Sequence, residues 1–383
     1  MPRSFRLLPP VFVLLLAAVA VACNVPVFRY ALERWNPDAY EVTLFHDQPL
    51  TTGQAAMLKT IRSQVTGKER QLDSFYISQV DVTAPMDDRS RALLEAIKPA
   101  TFPHLVVQFP HARPADTHAY SGPLTADIAA TVADSPMRRA VVKKILEGES
   151  VVWLLVESGD QAKDDEAAAL LAVELARLSK ELVLPQLDAT DTKFHDPDAG
   201  PKLRMSFTML RMSRIDAKEK MFLRLLENWD GKDLDRSQPL AFAIFGRGRV
   251  LPPLSGKYLN AKFLREANEF LVGRCSCQMK EENPGWDLLM PVDWESVMRG
   301  QVSLTDAMPA LTSAQAVVEQ NEAIKKKVDP ALVSVETIKP IAEPIPPASA
   351  AGSTMLRNVV TLVIVAFLCI VGVSIRMRIR RAE

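Results

Sequence analysis

Residues 359–375, VVTLVIVAFLCIVGVSI, carry no charge, and Met355 and Leu356 extend the apolar run upstream. A helix rises 1.5 Å per residue, so about 20 residues cross a hydrocarbon core of roughly 30 Å. The stretch is long enough if Arg357 and Asn358 sit at the interface. Arg376, Arg378, Arg380 and Arg381 follow directly. A buried core helix would show a polar face and no such arginine stop. Residues 355–376 are therefore expected to form a transmembrane helix, with 377–383 as a basic tail. Short flanks rich in arginine stay cytoplasmic, which puts the chain before the helix on the outer side.

The opposite end is compatible with that orientation. Arg3 and Arg6 precede an apolar run over 7–22, broken only by Pro9 and Pro10, which reads as the charged and apolar regions of an export signal. The run closes on Ala20, Val21, Ala22 and Cys23, which resembles a bacterial lipoprotein cleavage site, although leucine usually stands where Ala20 is found. Segment 1–23 is then a lipoprotein signal with Cys23 as the lipidated residue, a retained signal anchor, or an ordinary cleaved signal. All three place 24–353 outside the cytoplasmic membrane, on the periplasmic side of a cell inner membrane. Segment 301–354 is expected to be a stalk and linker. Its 340–353 portion, PIAEPIPPASAAGS, favours an extended spacer. Residues 313–327 have helix-forming composition with a thin apolar face, and read equally as a juxtamembrane stalk helix or as a helix packed on the body.

The body between these ends has ordinary globular composition. Of 383 residues, 48% are hydrophobic and 24% charged, with room for two domains at about 150 residues each. Lys plus Arg and Asp plus Glu are both 46, so there is no global electrostatic case for nucleic acid, whose binding needs a positive footprint. Four cysteines are too few for a disulfide scaffold. Periodicity suggests two similar halves, 24–145 and 146–300. In the first, strands are expected at 40–46, 74–82, 104–109 and 117–121, with helices at 54–65, 89–97 and from 125 onward. In the second, strands are expected at 151–156, 203–210, 240–245 and 249–251, with helices at 165–182, 217–228 and 261–272. Each half reads β-α-β-α-β-β-α, with a proline, Pro103 or Pro239, before the third strand.

That order, with its proline, resembles the thioredoxin-like fold, and the run QPLAFAIFGRGRVLPPLSG of the second half is the closer match. The resemblance implies an α/β architecture of two tandem domains, each a mixed sheet covered by helices on both faces. It also implies that the proline is cis and lies beside the active site. The departure matters more. Thioredoxin chemistry needs a Cys-x-x-Cys after the first strand, where the helix N-terminus lowers the thiol pKa. Here those positions read Phe45, His46, Asp47, Gln48, Pro49 in one half and Glu157, Ser158, Gly159, Asp160 in the other. Neither half can exchange dithiols at that place, and a fold of this kind without its thiols reads as a binding or scaffolding module.

Other chemistry centres on Cys275 and Cys277, the only cysteines in the aqueous body. They could close a strained and labile disulfide, activated by Arg274 and Lys280. With Met279 they could present three soft sulfur ligands along one side of an extended segment, suited to copper. They could equally be small packing residues. His46, Asp47 and His104 would approach one another in a thioredoxin-like arrangement and form a metal or acid–base site, or else serve as hydrogen-bonded strand-end residues. Residues 281–295 hold Trp286, Leu288, Leu289 and Trp294 among acids and prolines, and must dock either on the second half or on a partner. Gly246, Arg247 and Gly248 lack the third glycine of a nucleotide cradle. Asp164, Asp165 and Glu166 complement a helix dipole. The expectation is a non-enzymatic, membrane-tethered extracytoplasmic binding or scaffold protein. It would hold a membrane-protein partner, as a transporter accessory or envelope assembly factor. The alternative is a thiol-redox or copper-handling protein acting through Cys275 and Cys277.

Overall fold

Val151–Val156 (VVWLLV) and Leu240–Phe245 (LAFAIF) are apolar at every position and buried at every position. Such runs have no solvent face to offer, so they become the paired central strands of a sheet covered on both sides. The computed structural model, which describes residues 24–64, 75–187, 201–231, 234–275 and 279–299, builds the rest of the fold around them and a second such centre.

In the first half, β1 (Tyr40–His46) runs parallel to β2 (Phe75–Asp81) and antiparallel to β3 (His104–Gln108), which pairs antiparallel with β4 (His118–Pro123). The sheet order is β2-β1-β3-β4. In the second, β5 (Val151–Val156) is parallel to β6 (Phe207–Met212) and antiparallel to β7 (Leu240–Phe245). The sheet continues through β8 (Arg249–Val250) and β10 (Trp286–Asp287), while β9 (Leu254–Ser255) also pairs with β7. The protein is thus α/β with two mixed sheets of four and six strands.

The helices are α1 (Val27–Arg34), α2 (Thr52–Gln64), α3 (Asp88–Ile97), α4 (Ala126–Thr131), α5 (Pro136–Leu146), α6 (Gln161–Glu181), α7 (Lys220–Glu227), α8 (Ala261–Val272) and α9 (Trp294–Met298). The single helix expected from 125 onward is two. Ser135 caps α5 by accepting from Arg138 N, and Pro136 occupies its first turn, where a missing N–H costs nothing. The strand expected at 203–210 is displaced to Phe207–Met212.

Strand alternation assigns the faces. Val151, Trp153, Leu155, Ala243 and Phe245 pack with α1, α6 and α8. Val152, Leu154, Phe242 and Ile244 turn the other way and share one cluster with Val42, Leu44, Leu105 and Val107 of the first sheet. Phe45 and Val106 point away from that cluster to Leu93 of α3. Every described residue belongs to one compact unit, Met1–Pro330; a second unit, Ala331–Glu383, lies outside the described residues. Among the described residues no helix is long and apolar enough to cross a membrane. The expected span at 355–376, the tail, the stalk, the signal segment and Cys23 all lie outside them.

The strip around Trp286 folds inward. Trp286, Leu288, Leu289 and Trp294 are buried in the cluster common to both sheets. Trp286 stacks on Trp229 with ring centroids 4.2 Å apart, and its Nε1 donates to Leu225 O at 3.2 Å. A partner-binding role for these four side chains is therefore corrected: the protein's own core already covers them. Asp287, between them, is a buried hub. It accepts from Arg249 Nη1 at 3.1 Å, Lys280 Nζ at 2.8 Å and Asp38 N at 2.8 Å, while its carbonyl accepts from Tyr40 Oη at 2.8 Å. Those bonds tie the start of β1 to the edge of the second sheet.

Candidate functional site

Crevices for ligands in α/β sheets open outside the carboxyl ends of the parallel strands. In the second sheet that end is formed by Glu157 after β5 and by Ser213 to Asp216 after β6. The turn leaving β5 closes on itself. Asp164, in the first turn of α6 and 3% exposed, accepts from Ser158 N at 2.7 Å, Ser158 Oγ at 2.8 Å and Gly159 N at 3.0 Å. Asp160 caps the same helix by accepting from Ala162 N and Lys163 N. Gly159 adopts φ +93, which a side chain would resist. The amides at the start of this helix are thus occupied by the chain's own carboxylates.

Charge gathers instead at the end of β6 and just beyond it. Arg211 donates to Glu157 Oε1 at 2.7 Å and to Asp165 Oδ1 at 2.9 Å. Burial opposes its charge, but these two carboxylates outweigh burial and hold its pKa above the ordinary guanidinium value. Arg214 donates through Nε to Glu157 O at 3.1 Å and through Nη1 to Glu227. Its Nη2 is buried without a hydrogen-bond partner. Arg236 donates to the other oxygen of Glu227 at 2.9 Å. Desolvation, then repulsion from Arg236, push the Arg214 pKa down. One carboxylate thus serves two guanidiniums.

A groove of about 540 Å³ opens beside this pair, lined by Arg214, Ile215, Asp216, Lys220, Leu223, Arg224, Glu227 and Arg236 together with Ala217 and Asn228. Arg224 lies over the ring of Tyr120 on β4 at 5.6 Å, so the groove borders the first half as well. The arrangement suits an oxyanion, for which a guanidinium offers paired donors.

The residues singled out from sequence are dispersed. Phe102–Pro103 is cis, and it is the only cis bond among the described residues, so Gln238–Pro239 is trans. The special geometry falls in the half that matched less well. Cys275 is a buried thiol in the cluster under α1 and α8, whereas Met279 is 58% exposed; Cys277 lies outside the described residues. His46 and His104 do not meet. Phe45 pairs with His104, so both point to the α3 side, and alternation turns His46 to the opposite face. His104 instead bonds Ser121 Oγ at 3.0 Å, and burial lowers its pKa. Arg214, Lys220, Glu227 and Arg236 were not identified in the sequence reading. A basic residue two positions after a strand was a usable signal for Arg214; nothing local marks Arg236 as its neighbour. No protein-family model matches the chain, and no curated protein matches it.

Proposed function

We propose that the chain is a membrane-tethered, extracytoplasmic binding protein built on two thioredoxin-like halves that have lost their redox site, and that its binding surface is the basic groove beside β6. The observation that carries this reading is the turn at Ser158 and Gly159, where Asp164 and Asp160 hold the amides that a catalytic thiol would need. Supporting the fold reading, both halves follow β-α-β-α-β-β-α, with the first two strands parallel and the next two antiparallel, and Pro103 is cis at the head of β3. Supporting the tether are the charge-free run at 359–375 with its four arginines, and the signal-like segment ending at Cys23. The molecule works by holding a membrane-protein partner, a transporter or an assembly complex, rather than by turnover.

The test is cell fractionation followed by purification of the tagged full-length chain from detergent-solubilised membranes. The expected result is a membrane-bound chain, protease-accessible from the periplasmic side, that brings down one membrane protein in constant ratio. Recovery of the body in the cytosol, or of the chain alone at every detergent tested, would overturn the proposal.

A further inference from the structure

The groove carries more information than its sign. Its walls hold four cationic side chains, Arg214, Lys220, Arg224 and Arg236, against two carboxylates, Asp216 and Glu227. Asp216 accepts from Lys218 N at 2.9 Å, and Glu227 is shared between Arg214 and Arg236. Among the described residues no carboxylate pairs with Lys220 or Arg224. The site therefore has surplus positive charge.

Size and lining narrow the ligand. A groove of about 540 Å³ falls within the roughly 300–1,000 Å³ of ordinary ligand sites and far exceeds what an inorganic anion occupies. Ile215 is 91% exposed at the groove, and Leu223 and Ala217 line it too. A single exposed isoleucine is unremarkable by itself. Set among guanidiniums in a concave site, with two further apolar side chains, it gives the groove an aliphatic as well as a cationic lining.

We infer that the groove binds an acidic peptide segment with apolar flanks: one carboxylate takes the cationic wall formed by Arg214, Lys220 and Arg236, and a neighbouring aliphatic side chain covers Ile215. The inference rests on the reading of the chain as a binding protein and gives that partner its chemistry. A phosphate or lipid headgroup would satisfy the guanidiniums and leave Ile215 in water.

The experiment uses the full-length protein in detergent and a fluorescein-labelled peptide alternating glutamate and leucine, followed by fluorescence anisotropy. A glutamine–leucine peptide is the control, and inorganic phosphate and anionic phospholipid vesicles are competitors. Two variants are read beside the wild type: Lys220→Gln with Arg236→Gln, and Ile215→Ser. The side chains of Ile215 and Arg236 are largely in solvent, Lys220 is exposed, and Arg214 still pairs the buried Glu227 when Arg236 is replaced, so the fold is kept. The expected result is saturable binding of the glutamate peptide and none of the control. Affinity falls by about tenfold in the charge variant and by about fivefold in Ile215→Ser. Absence of saturable binding, or binding untouched by either variant, overturns the inference. So does displacement by phosphate or vesicles together with indifference to Ile215→Ser, which would assign the groove to a phosphoryl group. If the peptide fails to bind while the wild type still brings down its membrane partner, the groove assignment falls and the binding reading stands. If the peptide binds but no partner is recovered from membranes, the reverse holds.

Discussion

Arg138 is completely buried, yet it is not idle charge. Its guanidinium donates to the carbonyls of Thr131 at 2.9 Å, Val132 at 3.0 Å and Leu289 at 3.4 Å, and lies 5.3 Å from the Phe222 ring. Burial pushes its pKa down to about 10, against the pull of Glu219 and Asp134, so it stays protonated at neutral pH. Glu219, itself 3% exposed, accepts from Met137 N at 2.7 Å and faces Arg138, Ser135 and Asp216. Desolvation raises its pKa above the ordinary carboxylate value; bonds from Ser135 and Met137 and the charge of Arg138 only partly offset this. Since the native pKa is the higher one, the folded state holds the proton more tightly than the unfolded chain. The stabilisation linked to that proton is complete below the unfolded value and is lost as pH rises through the native value. Glu219→Gln keeps the acceptor for Met137 and removes the titration. Wild type should therefore lose stability relative to Glu219→Gln as pH rises above the ordinary glutamate pKa of about 4.3, measured by urea denaturation at a series of pH values. Parallel stability curves for the two proteins would exclude Glu219 as the titrating group.

At the scale of elements, the join between α1 and the second sheet shows what a linear reading reaches and what it does not. The bounds of β1, β5, β7 and α8 match their sequence patterns, because each has a local cause: alternating apolar positions in β1, an unbroken apolar run in β5 and β7, and an Asn260 cap ahead of an amphipathic helix in α8. The helix α1 escaped that reading, since its short apolar set, Val27, Phe28, Tyr30, Ala31 and Leu32, gains meaning only from partners far along the chain. Arg247 in the β7–β8 turn donates to Leu32 O at 2.7 Å and Glu33 O at 3.2 Å, satisfying carbonyls that a helix end leaves open. The candidate site divides the same way. The loss of thiols was plain from residue types, and the closure of the Ser158 turn follows from an Asp at the right helical position. The sharing of Glu227 between Arg214 and Arg236 depends on tertiary placement, and so does the separation of His46 from His104, which needs the strand register. The Gly246 turn tests the join directly. Gly246 has φ +57, and an added Cβ would lie 2.6 Å from the Ala31 Cβ, whereas Gly159, at φ +93, has nothing within 4 Å. Gly159→Ala should cost only backbone strain, about 1–3 kcal/mol. Gly246→Ala should cost about 1–3 kcal/mol beyond that, because α1 must move off the sheet. Equal losses in denaturation midpoint would mean that the α1 contact is soft.

The halves look alike in order but are not built as separable bodies. One cluster takes side chains from both sheets, from α2, α4, α5, α7 and α9, and from the strip at Leu288 to Val292. The Asp287 hub ties Asp38 and Tyr40 of the first half to Arg249 and Lys280 of the second, and α1 precedes the first sheet in the chain yet packs on the second. A chain folded this way has no plane along which it can part without exposing apolar surface at about 25 cal/mol per Å² and uncovering a paired buried charge. Both sheets should then unfold together. Amide hydrogen exchange on the full-length protein is the measurement, because it reports strand by strand. Amides of β1 and β3 should reach the same limiting opening free energy as those of β5 and β7. The groove borders Tyr120 of β4 as well as α7, so a ligand bound there should raise both sets together by mass action. Exchange of β1 and β3 at a distinctly lower free energy, or a ligand effect confined to the second sheet, would show that the first half opens on its own and that the common core does not couple them.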